Sequence, residues 1–144
     1  MRIFLTGSTG FIGQSLVRAM RRRDWAVQVL VRDQKGTAAQ WLSDQGCTLV
    51  AGDVTRPEGL ARAMAGADAV VHAAGVYELG VNANERERMQ QVNVDGTNNV
   101  LSAALEARIG RTIYVSTVWA LGRADIRRSR RYQRTKVNVT RVLI

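Results

Sequence analysis

The sequence is poorest in the residues that staple or kink small folds. It has one cysteine, one proline and one histidine in 144 residues, and aromatics make up 6%. A lone Cys47 excludes a disulfide framework. No histidine or cationic cluster adjoins it to make a reactive thiol, so it reads as a small buried hydrophobe at a strand start. No metal is expected. No apolar run approaches the roughly 20 residues that cross a bilayer. Met1 to Thr6 enters a strand-like run without the charged start and apolar middle of a signal peptide. No membrane segment and a cytoplasmic location are therefore the expectations.

What is present is ordinary for a globular chain: 46% hydrophobic and 23% charged residues. The length suits one domain, residues 1–144, large enough to bury its own core. The net charge of +9 is unevenly spread. Residues 1–121 carry 13 basic and 11 acidic side chains, whereas residues 122–144 carry eight basic and one acidic. The excess belongs to the tail. Neither interleaved aromatics nor a nucleic-acid motif accompanies it, so it reads as a solvated loop that also meets phosphate groups, and nucleic acid is not an expected partner.

Apolar runs alternate with helix-period segments, the pattern of a parallel sheet flanked by helices. Strands are predicted at Ile3–Thr6, Ala26–Val31, Thr48–Ala51, Ala69–His72 and Thr112–Ser116. Helices are predicted at Phe11–Arg23, with Ile12, Leu16, Ala19 and Met20 facing the sheet, and over a short stretch opened by Pro57 and carrying Leu60 and Met64. A long helix, about Glu85 to Arg108, turns Met89, Val92, Val100, Leu101, Ala104 and Leu105 inward, and a last helix spans about Tyr132 to Ile144. Right-handed crossovers then give an α/β, doubly wound sheet of order 3-2-1-4-5, with a ligand crevice at the C-terminal ends of strands 1 and 4.

The strongest motif lies between the first strand and the first helix: Gly7-Ser8-Thr9-Gly10-Phe11-Ile12-Gly13. Strand, then Gly-x-x-Gly-x-x-Gly, then helix is the context of a Rossmann dinucleotide site. The first glycine turns tightly off the strand, the second lets the backbone approach a pyrophosphate, and the third packs helix on strand. The helix N-terminus supplies free N–H groups and partial positive charge, and Thr6, Ser8 and Thr9 can add hydroxyls. Nineteen residues after Gly13, where an NAD site usually places an acid for the ribose hydroxyls, stands Arg32. Its forked donors suit a 2′-phosphate, so NADP is the preferred cofactor. Asp33 follows and can serve the ribose instead, which leaves NAD open.

Taken with Gly52-Asp53-Val54, His72-Ala73-Ala74-Gly75, Asn93-Val94-Asp95-Gly96-Thr97-Asn98, Tyr114-Val115-Ser116-Thr117 and Tyr132-Gln133-Arg134-Thr135-Lys136, the chain resembles the extended short-chain dehydrogenase/reductase superfamily. It is similar to the NAD-dependent epimerase/dehydratase group, with its dihydroflavonol-reductase-like and 3β-hydroxysteroid-dehydrogenase-like members. The resemblance implies that Asp53 accepts the adenine amino group and that Val54 flanks the ring. It also implies that Ala73, Ala74 and Gly75 let the cofactor lie over the strand end, and that Asn93 holds the active site through backbone and water contacts. His72 is expected to be a structural strand-end residue.

Tyr132 and Lys136, four residues apart, share a helix face. A nearby ammonium favours the phenolate, so Tyr132 can exchange a proton with a carbonyl/alcohol pair, and by resemblance Lys136 reaches the nicotinamide ribose. The family's Ser/Thr partner falls on Thr117, with Ser116 as the alternative. The segment between Thr117 and Tyr132 is shorter and more basic than is usual in the family, and the family's substrate lobe would follow residue 144. The expected function is therefore hydride transfer between NADP(H) and a small-molecule carbonyl or alcohol. The alternatives are a nucleotide-sugar epimerase or dehydratase with tightly held NAD, and a non-catalytic NAD(P)-binding module. The resemblance further implies a homodimer paired through the long helix and the last helix.

Overall fold

The computed structural model describes residues 1–77 and 82–117. Five strands, β1 (Arg2–Thr6), β2 (Ala26–Val31), β3 (Thr48–Ala51), β4 (Ala69–His72) and β5 (Thr112–Tyr114), form one sheet in the order β3-β2-β1-β4-β5. All pairings are parallel, with Ile3 opposite Val27 on one side and Ala69 on the other. The predicted fold class and strand order therefore hold. Parallel strands need a crossover each time, and helices α1 (Phe11–Arg21), α2 (Thr37–Asp44) and α3 (Leu60–Met64) supply the first three.

The period-2 alternation of the strands splits the core into two layers. Ile3, Leu5, Val27, Val29, Val31 and Val71 pack with Val17 and Met20 of α1 and Leu42 of α2 on one face. Phe4, Leu30 and Val70 pack with Leu60, Met64, Val100, Ala103 and Ala104 on the other. Gln28 points to the second face and is satisfied by donating to the Ala63 carbonyl at 2.8 Å. Cys47 is buried in the first layer, and desolvation raises its thiol pKa while Arg21 opposes the rise.

Several expectations need correction. In α1 the buried residues are Gly13, Val17 and Met20, while Ile12 is 51% exposed. Close packing of Gly13 on the first turn sets the helix phase and carries Ile12 outward. Helix α2 was not predicted, because only Ala39 and Leu42 mark its inner face. Helix α3 starts after Gly59, which adopts φ +80°, and Pro57 instead closes a turn by accepting from Leu60 N at 3.2 Å.

The predicted long helix is three pieces: α4 (Ala83–Gln90), a π-helical turn (Gln91–Asp95) and α5 (Gly96–Glu106). Asn82 and Glu85 start α4 as a reciprocal capping box. In α5, Gly96 lies against Val54 and Val100 packs in the second layer, which puts Leu105 on the far side, 80% exposed; Ala104 is inward as expected and Ala103 joins it. Strand β5 is also shorter than expected, although Val115 N still donates to the His72 carbonyl at 2.9 Å. The predicted helix from Tyr132 to Ile144 lies outside the described residues.

Among the described residues no helix is long and apolar enough to cross a membrane. No group of three or more His, Cys, Asp or Glu side chains there can hold a metal ion.

Met64 and Leu105 give a paired test of the second layer. Met64 is fully buried, so Met64→Ala should lower unfolding free energy by about 2–5 kcal/mol in urea titration. Leu105→Ala should change it by less than about 0.5 kcal/mol.

Candidate functional site

β1 and β4 lie side by side; the helix that follows β1, α1, packs on one face of the sheet, and α5, beyond β4, packs on the other. That divergence opens a crevice at their C-terminal ends. It is a cleft of about 410 Å³, bounded by the first turn (Thr6, Gly7, Thr9, Gly10), the ends of β2 and β3, the start of α2 and the segment Ala73–Val76.

The three glycines of the turn have different physical reasons. Gly7 has φ +73°, and a Cβ there would stand 2.5 Å from the backbone of Ala73 and Ala74. A Cβ on Gly13 would overlap the Gly7 carbonyl oxygen. Gly10 is different: a Cβ there would meet only the Gly7 carbonyl, at 3.4 Å, an ordinary contact. The protein's own packing therefore does not demand glycine at position 10, yet this residue lines the cleft and is the N-cap of α1. It offers no capping side chain, and no acid occupies the first turn of the helix. The start of α1 thus borders the cleft with no capping side chain and no acid in its first turn, an arrangement that receives an anion.

The other members of the motif divide. Thr9 lines the cleft, but Ser8 does not. The Ser8 hydroxyl is fully buried and has no hydrogen-bond partner among the described residues, and Phe11 and Ile12 are 91% and 51% exposed. These three shape the turn through their backbone.

At the β2 end, Arg32 and Asp33 both line the cleft and both are exposed. Asp33 folds back to accept from Lys35 N at 2.8 Å. Arg32 has no ion-pair or hydrogen-bond partner among the described residues. Gly36 to Ala39, at the start of α2, complete this wall, and sequence reasoning missed them because the helix itself was missed. At the β3 end, Asp53 Oδ1 receives both Thr55 N (2.9 Å) and Thr55 Oγ1 (3.0 Å). Val54 is 7% exposed, lines the cleft, and packs where Gly96 leaves room. Its carbonyl accepts from Asn99 Nδ2 at 2.9 Å.

The floor of the cleft is Ala73, Ala74 and Gly75, at the end of β4. Asn93, in the π-helical turn, is 3% exposed and grips this floor from beneath. Its Oδ1 accepts from Val76 N and its Nδ2 donates to the Val76 carbonyl, each at 2.8 Å. Both side-chain functions are thus engaged by backbone. A π turn holds an extra residue, and here that insertion coincides with a buried asparagine beside a cleft.

His72 is fully buried between Thr6 and Thr97. Beyond β5, Ser116 is exposed and Thr117 half-buried. Burial raises the pKa of Tyr114, and a hydrogen bond with Thr97 opposes the rise. Tyr132 and Lys136 lie outside the described residues.

Comparison with known proteins follows this geometry. The pattern of the NAD dependent epimerase/dehydratase family matches residues 3–141. A 4-hydroxy-2-methyl-3-oxo-4-farnesyl-3,4-dihydroquinoline-1-oxide ketoreductase of Stigmatella aurantiaca is 38% identical over 81% of this chain and 34% of its own. A 3-beta-hydroxysteroid dehydrogenase of Mycolicibacterium neoaurum is 33% identical over 81% and 32%, respectively. Among solved structures, a short-chain dehydrogenase/reductase superfamily protein of Agrobacterium tumefaciens with bound NAD superposes with a TM-score of 0.68 at 29% identity, covering 88% of this chain and 36% of that one. The chain spans about a third of the length of these relatives.

The unequal glycines make a direct experiment. Gly13→Ala should lose about 3 kcal/mol or more of stability, because backbone must move. Gly10→Ala should melt within a few degrees of the unaltered chain but bind dinucleotide at least about tenfold more weakly by calorimetry, since the methyl enters the cleft.

Proposed function

The chain belongs to the NAD-dependent epimerase/dehydratase family, and from that premise we propose that it binds NADP(H) in this cleft and serves hydride transfer to or from a carbonyl or alcohol substrate. The observation that carries the proposal is the uncapped start of α1, facing the cleft across a glycine that the protein's own packing does not require. The turn fits a pyrophosphate: Gly10 leaves the space, and the helix amides and dipole supply the attraction. The small floor, Ala73 to Gly75, leaves room for the nicotinamide half.

Preference for NADP rests on Arg32. It stands at the end of β2, in the cleft wall, with no partner among the described residues, while Asp33 is turned into its own loop. A dianionic 2′-phosphate suits a free guanidinium, and an arginine with its counter-charge already provided would not offer this. NAD is the alternative occupant, as in the solved relative.

The bound nicotinamide supplies or accepts the hydride. The chain's own part is orientation and proton handling. We assign Tyr132 as the proton donor and acceptor at the substrate oxygen, and Lys136, one helical turn on, as the ammonium that lowers the tyrosine pKa and binds the nicotinamide ribose. Thr117, with Ser116 as the alternative, supplies a hydroxyl to the substrate oxygen. Asn93 acts through the Val76 backbone and does not touch substrate. A reductase or dehydrogenase reading is favoured over a nucleotide-sugar epimerase by Arg32 and by the names of the relatives more than 30% identical.

Calorimetry checks the assignment. NADPH should bind more tightly than NADH, and Arg32→Ala should weaken NADPH by about ten- to a hundredfold while changing NADH by less than about threefold. Equal affinities, unchanged by the substitution, would remove the NADP preference. Binding of neither would remove the function. Tyr132→Phe should cut carbonyl-dependent NADPH oxidation by about a hundredfold or more without changing NADPH affinity.

A further inference from the structure

His72 is the only histidine in the sequence, and it is fully buried, yet the chemistry proposed above does not use it. Its Nδ1 lies 2.6 Å from Thr6 Oγ1, and its Nε2 lies 2.9 Å from Thr97 Oγ1. Thr97 Oγ1 donates to the Asn93 carbonyl at 2.8 Å. A hydroxyl has one proton, so Thr97 must receive the proton carried by Nε2. At the other end Thr6 Oγ1 accepts from Ala74 N at 3.4 Å, which leaves its own proton for Nδ1. The neutral Nε2–H tautomer is the arrangement in which each of these protons meets one acceptor. The ring also stacks on Tyr114, centroids 5.5 Å apart and planes 20° from parallel.

The positions joined by this relay are those that shape the cleft. Thr6 immediately precedes Gly7 of the phosphate turn. Ala74 is in the floor. Asn93 clamps Val76 at the far end of that floor. An apolar side chain could fill the same volume without desolvating two ring nitrogens. What the imidazole adds is a fixed orientation at two points inside the sheet.

We infer that His72 is a positioning residue that couples the phosphate turn to the Asn93 end of the cleft through the Thr6–His72–Thr97–Asn93 relay, so that dinucleotide meets both ends in one geometry. This rests on the proposed function, and its test separates the two. Because there is one histidine, a ¹⁵N-resolved spectrum of the intact chain reports this ring alone. It should show a single Nε2–H tautomer. Thr97 lies outside the cleft wall, so a substitution there reaches the ligand through its hydrogen-bond partners His72, Asn93 and Tyr114 and not by direct contact. Thr97→Val should mix the tautomers and weaken NADPH binding by about tenfold. Thr97→Ser, which keeps the hydroxyl, should restore both the single tautomer and the affinity to within about twofold.

An Nδ1–H or averaged tautomer in the unaltered chain would overturn the relay, whether or not the variants fold. NADPH binding by the unaltered chain, with equal affinity in Thr97→Val and Thr97→Ser, would overturn the coupling and leave the proposed function standing. No dinucleotide binding by the unaltered chain would overturn the proposed function and, with it, the coupling.

Discussion

The first turn of this protein is built around backbone touching backbone. Gly7 lies against the Ala73–Ala74 peptide, and Gly13 lies against the Gly7 carbonyl. No side chain fits at either contact. The two contacts fix how closely β1 meets β4 and at what angle α1 leaves the sheet. The burial of Val17 and Met20, the exposure of Ile12 and the direction of the α1 dipole all follow from that angle. The cleft is the space left where the strands part, and it is bordered by a helix start with no capping side chain and no acid in its first turn.

The second constraint is polar and lies on the opposite face of the sheet. Thr6, His72, Asn93 and Thr97 are all buried, in a layer that is mostly apolar. Their hydrogen bonds bind β1, β4, the π-helical turn and α5 together. Low surrounding polarity strengthens each bond and makes each lost partner expensive, so the group specifies a single arrangement. The π turn belongs to the same solution. It brings Asn93 to Val76, while Gly96, just beyond, gives Val54 its space.

Much of this was legible in the residues. Alternating Val, Ile and Leu in strands of four to six residues, separated by helix-length segments, announced a parallel sheet and its order. Gly7, Gly10 and Gly13 announced the turn because their spacing coincides with a strand end and a helix start. Helix α2 was hidden: two buried residues among Thr, Gln, Ser and Asp make too weak a period to detect, although α2 provides a wall of the cleft. The break in the long helix was hidden too. A π turn is a shift of backbone hydrogen bonding to i→i+5 with no local residue signature, and the contact beside it joins Asn93 to Val76, 17 residues away. Leu105 was misplaced because an apolar residue at helical spacing gives no sign of which face the sheet will cover.

The sequence by itself determined the class of fold, the strand order, the glycine turn and the family, since these depend on local periodicity and on residues whose backbone freedom is chemically unmistakable. Only the tertiary structure decided which glycines answer to packing and which to the cleft. It also decided that Asn93 spends both amide functions on backbone, and that a lone histidine bridges two strand ends. Those properties are distances between residues far apart in the chain, and a linear pattern carries no distances.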